Sequence, residues 1–170
     1  MKKLVVIFCF SISLLSVIAQ EKFSVPVMTD QEKINGLASS WNTLNLYLIS
    51  HGKSLGKSIV EIATYTSDLY ISGMDKSVGF DGYAKLLIQG WVGTAPNGKV
   101  EIREQTGDRI VISVSNFCSQ LKEKGTMYNV SYQEYIKYLE CRGNRVFGVL
   151  GGTYSIKDSV DGLIITMQKK

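Results

Sequence analysis

The polar and apolar positions divide the chain into a leader and a patterned body. Lys2 and Lys3 precede an uncharged, mostly apolar run from Leu4 to Ile18, and Ala19, Gln20 and Glu21 follow at once. Fifteen residues fall short of the roughly 20 that a spanning helix needs, and a small residue at Ala19 suits signal-peptidase cleavage. Residues 1–20 therefore read as a removed signal peptide, and residues 21–170 as one mature domain that is secreted or periplasmic, with no membrane segment once the leader is gone.

The period of the body then changes along the chain. Thr29-Asp30 offers an N-cap, and Ile34, Leu37, Trp41, Leu44 and Leu48 recur at helical spacing up to Gly52, predicting an amphipathic helix. Leu55, Ile59, Ile62, Ala63, Leu69 and Tyr70 repeat that period up to Gly73, predicting a second helix antiparallel to the first. Asp81 is expected to cap a short third helix ending near Gly90-Trp91. From Lys99 the period becomes two: Val100 and Ile102, the turn Thr106-Gly107-Asp108, then Ile110, Ile112 and Val114 predict a hairpin with one buried face. A short helix capped by Ser115 or Asn116 is expected to run to Gly125. Ser131 with Glu134 forms a capping box ahead of a helix whose stripe is Tyr132, Tyr135, Ile136 and Leu139. Tyr154 and Ile156, a turn, and Leu163, Ile165 and Met167 predict a second hairpin. Helices first and strands later give an α+β fold: an N-terminal helical hairpin packed on an antiparallel sheet of about four strands, with short inserted helices.

Composition narrows the function. The chain has 170 residues, 45% of them hydrophobic, with one His and three Cys. These are too few soft ligands for a protein-built zinc site, so no metal or other cofactor is expected. The formal charge of +4 includes Lys2 and Lys3, and the +2 left after the leader (17 basic minus 15 acidic) is no nucleic-acid footprint. Gly52-Lys53-Ser54-Leu55-Gly56-Lys57-Ser58 has one residue too few between its glycines for a phosphate-binding loop, and a helix rather than a strand precedes it. It reads as an interhelical turn.

Cys118 and Cys141 are the cysteines of the mature chain. One reading pairs them in a disulfide, which would close a loop worth about 3 kcal/mol. The other makes Cys118 a nucleophile at a strand-to-helix corner, activated by the helix N-terminus, with His51 as its base. Trp91, set between Gly90 and Gly93, is a candidate for lining a small-molecule pocket, together with Tyr132 and Tyr135.

The order of elements after Ile110, with Ile110-Val-Ile-Ser-Val-Ser-Asn-Phe-Cys118, a Gln120–Gly125 segment, a Tyr-rich helix and a Lys157-Asp158-Ser159 turn into the last strand, resembles the L-2-amino-thiazoline-4-carboxylic acid hydrolase-like proteins. The resemblance covers roughly the C-terminal half. It implies a compact pocket for a small organic acid, with Cys118 matching that family's cysteine after the strand. Ser119 stands where the family usually has Pro. Two functions are thus expected as alternatives: an exported small-molecule-binding, possible hydrolase-like domain, or a non-catalytic interaction or structural module with a Cys118/Cys141 bridge.

Overall fold

A computed structural model describes residues 28–95 and 98–170. The expected leader, residues 1–20, lies outside the described residues. The chain is α+β. Helices α1 (Asp30–Ser54) and α2 (Ile59–Gly73) lead, a 3₁₀ turn (Lys76–Val78) follows, and α3 (Gly79–Thr94) completes the helical half. Strands β1 (Val100–Gln105) and β2 (Arg109–Ser115), helix α4 (Ser119–Lys124), the small ladder β3 (Thr126–Met127) and β4 (Val130–Ser131), helix α5 (Tyr132–Val149), and strands β5 (Gly152–Ser159) and β6 (Gly162–Lys169) form the rest.

Local sequence sets the ends of the long helices. Thr29, Ser58 and Ser131 each accept from the backbone N–H three residues on, and Glu32, Glu61 and Glu134 reach back to the cap, making three capping boxes. Helix α3 departs from expectation. It begins at Gly79, because Asp75 caps the preceding 3₁₀ turn, and it continues past Gly90 and Trp91 to Thr94. Trp91 is therefore a helical residue and not part of a glycine-flanked loop.

The four main strands form an antiparallel sheet in the order β1-β2-β6-β5. Register places Ile112 opposite Ile165, Val114 opposite Leu163, and Tyr154 opposite Met167, so the period-two positions fall on one buried face. Helix α5 lies directly on that face through β5, and α2 packs along α5. Gly143 allows the close approach: a Cβ there would lie 2.3 Å from the Tyr154 ring.

Helix α1 is turned the other way. Its apolar stripe faces solvent, with Leu37 72% and Leu44 62% exposed, while Ala38, Asn45, Leu46 and Ile49 face inward. Polar contacts hold this helix to the body. Asn42 Nδ2 donates to the Thr94 carbonyl at 3.1 Å, and Lys53 meets Glu134 at 2.7 Å.

Candidate functional site

Helix α3 packs on the body through Ala84, which is fully buried, and through aromatic pairs towards its two ends. Phe80 and Tyr83 meet Phe147 edge-on with ring centroids 5.1 and 5.2 Å apart, and Trp91 meets Phe117 at 4.9 Å. Residues of α1, α3 and α5 border a cavity of about 320 Å³, within the range of small-molecule sites. Trp41 and Asn42 of α1, Leu86, Leu87 and Gly90 of α3, and Leu139 and Arg142 of α5 form its sides, with Tyr154 of the sheet among the residues lining it. Trp41 and Leu86, both about half exposed, leave it open to solvent.

The wall is aromatic and nearly uncharged. Burial, reinforced by neighbouring Tyr70, holds the Tyr83 hydroxyl well above its ordinary pKa; burial does the same at Tyr135 and Tyr154. These hydroxyls stay neutral at physiological pH. Among the described residues lining the cavity, Arg142 is the one ionised side chain.

Arg142 differs from the other three arginines of the chain. Arg103 lies 2.9 Å from Glu101, Arg109 lies 3.7 Å from Glu104, and Arg145 makes a two-pronged contact with Asp68. Arg142 forms no salt bridge among the described residues; it sits over the Tyr138 ring at 5.5 Å, and its charge is felt at Tyr83 and Tyr135. Trp91 adds a weakly satisfied donor: its buried Nε1–H makes no well-formed hydrogen bond among the described residues and has the Tyr154 hydroxyl as its neighbour.

The expected site residues separate. Trp91 and Tyr135 line the cavity. Tyr132 does not; its hydroxyl donates to Asp158 Oδ1 at 3.2 Å, where Lys122 also donates at 3.0 Å, so it ties the start of α5 to the end of β5. Cys118 borders a neighbouring cleft of about 210 Å³, which shares Asn42 and Thr94 with the main cavity. His51 is exposed near the end of α1 and is absent from the walls of that cleft, so the structure does not assemble a Cys118/His51 pair.

The chemistry expected of Cys118 is also reversed. It is itself the cap residue of α4, in left-handed backbone with φ 49°, in place of Ser115 or Asn116. Burial pushes its thiol up to about 12, so it carries a proton at neutral pH and is no activated nucleophile. Six residues of helix offer too weak a dipole to offset that desolvation. Nor is the disulfide formed: Cys118 and Cys141 are free thiols. Cys118 acts on Tyr132 and Tyr135 near the start of α5, whereas Cys141 lies nine positions after Tyr132, about 13 Å further along the axis. A bridge needs the two Cα atoms within about 7 Å.

Arg142, Tyr83, Asn42 and Tyr154 are the wall residues that pattern reading passed over. Arg142 had a signal. Tyr135, Leu139, Arg142 and Val146 continue one helical stripe at spacings of four, three and four, so an arginine stands on an apolar face.

Among the described residues no cluster of three or more metal-ligating side chains occurs, and no helix is long and apolar enough to cross a membrane. Comparison with protein-family models, curated proteins and solved structures finds no match.

Proposed function

We propose that the protein binds a small organic acid with a flat apolar body in the cavity between α3 and α5, and that it does so as an exported domain. The observation that carries this reading is Arg142, a guanidinium with no carboxylate partner among the described residues, set in an aromatic wall. Arg142 is partly exposed, and a carboxylate arriving in the cavity would replace water at its guanidinium with charge-assisted hydrogen bonds. The rings of Tyr83, Trp91, Phe117 and Tyr135 suit a planar hydrophobic body. The resemblance of the C-terminal half to hydrolase-like proteins for an amino-thiazoline acid points to the same ligand class. Binding without covalent chemistry is favoured, because burial keeps the Cys118 thiol protonated and no histidine or carboxylate lines its cleft among the described residues.

Thermal unfolding in the presence of 3-phenylpropionate and of its neutral amide tests the reading. At about 100 times Kd a ligand stabilises by about 2.7 kcal/mol, which for a domain of this size raises Tm by roughly 5 to 10 °C. The carboxylate is expected to give that shift and the amide a much smaller one. Equal shifts from both, or none from any aryl carboxylate, would reject the proposal.

A further inference from the structure

Apart from Trp41, which also borders the cavity, the outward face of α1 is apolar surface that the cavity does not use. Ile34, Leu37, Trp41, Leu44, Leu48 and Leu55 occupy a and d positions of a heptad seam at alternate spacings of three and four, with exposed His51 filling the step between Leu48 and Leu55. All six are exposed, from 40% at Leu48 to 72% at Leu37. A solvated helix face ordinarily carries charge, yet no Asp, Glu, Lys or Arg occurs from Ile34 to Ser50.

We infer that this face docks against α1 of a second copy of the chain, forming a two-fold dimer. The seam is self-complementary in kind. From Leu37 onward the flanking positions, Ala38, Ser40, Asn45, Tyr47, Gly52 and Ser54, bear no charge, and Lys33 beside Ile34 is paired with Asp30 at 3.0 Å, so two identical helices meet with little like-charge repulsion. With Tyr47 on the flank, the exposed side chains offer on the order of 700 Å² per copy, near the ~800 Å² per partner of a standard interface. A membrane surface fits less well, because an interfacial helix usually carries several Lys and Arg beside its apolar face, whereas α1 has only Lys33 and Lys53, at its two ends and each paired with a carboxylate.

Sedimentation velocity of the full chain from about 1 to 100 µM, alongside Leu37→Glu/Leu44→Glu and Leu69→Glu, tests the inference. Leu69 is equally exposed, but on α2 and outside the seam. The wild type and Leu69→Glu should sediment with the mass of two chains. The double variant should be a single chain with unchanged circular dichroism, its dimer dissociation constant raised roughly 30-fold or more. A wild type that is a single chain throughout, a double variant that still dimerises, or equal dissociation by Leu69→Glu would each overturn it.

Discussion

The Tyr135 hydroxyl on α5 donates to Asn42 Oδ1 on α1 at 2.8 Å, and the amide of the same Asn42 donates to the Thr94 carbonyl at the end of α3. One side chain thereby fixes three helices around the cavity. Tyr135 is buried, so Asn42→Ala leaves its O–H without this acceptor and should cost about 1 to 3 kcal/mol. Tyr135→Phe should cost less, because Asn42 is only partly buried and water can reach it. Urea unfolding of both single variants and the double variant measures the coupling, expected at about 0.5 kcal/mol or more; strict additivity would show that the hydrogen bond does not tie the helices.

This relationship also marks where sequence reading stops. Period-two alternation from Ile110 to Val114 and from Tyr154 to Met167 was legible because a sheet with one covered face forces it, whereas Ile102 on the edge strand β1 is exposed although the same pattern predicts it buried; Ser131 with Glu134 announced α5 because capping is local. Asn42 carries no such signal; its role depends on Tyr135, 93 positions away. The stripe of α1 was legible as a helix, but its direction was not, since periodicity reports a face without saying what covers it. The acidity of Cys118 was misjudged for a related reason: a strand-to-helix corner suggests an exposed thiol, whereas burial there outweighs the short helix.

Gly143 and Gly148 share α5 but meet different surroundings. Gly143→Ala would drive a Cβ into the Tyr154 ring, which cannot yield because it is buried and stacked on Phe147 at 5.6 Å, and should cost about 1 to 3 kcal/mol. Gly148→Ala meets nothing within 4 Å and should stabilise by about 0.5 to 1 kcal/mol. Thermal melts of the two variants should shift in opposite directions; a shared direction would contradict the packing described.

Alkaline stability should report Cys118. Its folded pKa of about 12 lies above the ordinary value of 9.0, so the folded state keeps a proton that the unfolded chain releases. That contribution is fully present below about pH 9 and is lost as pH rises through about 12. Urea unfolding from pH 8 to 11 should show falling stability, with a slope reduced by about one proton in Cys118→Ala. An unchanged slope would place the thiol in water.

Glu134 acts at the acid end. Burial raises its pKa, but hydrogen bonds from Lys53 and from the Ser131 cap outweigh that and hold it below the usual carboxylate range. A depressed folded pKa means stability that is present above the unfolded value and lost as pH falls through the folded one. Glu134→Gln should therefore lower stability at pH 7 and flatten its decline below pH 5; a variant matching wild type at pH 7 would show that neither bond contributes.

The cavity contains the means of its own most direct test, since the chain has two tryptophans, Trp41 and Trp91, and both line it. Titration of 3-phenylpropionate, followed by intrinsic fluorescence excited at a wavelength the ligand does not absorb, should give a saturable change in the wild type. In Arg142→Met the same titration should be weakened by about 10- to 100-fold, the worth of a hydrogen bond to a charged group. Equal affinities in the two proteins, or no saturable change in the wild type, would contradict an organic-acid site at Arg142.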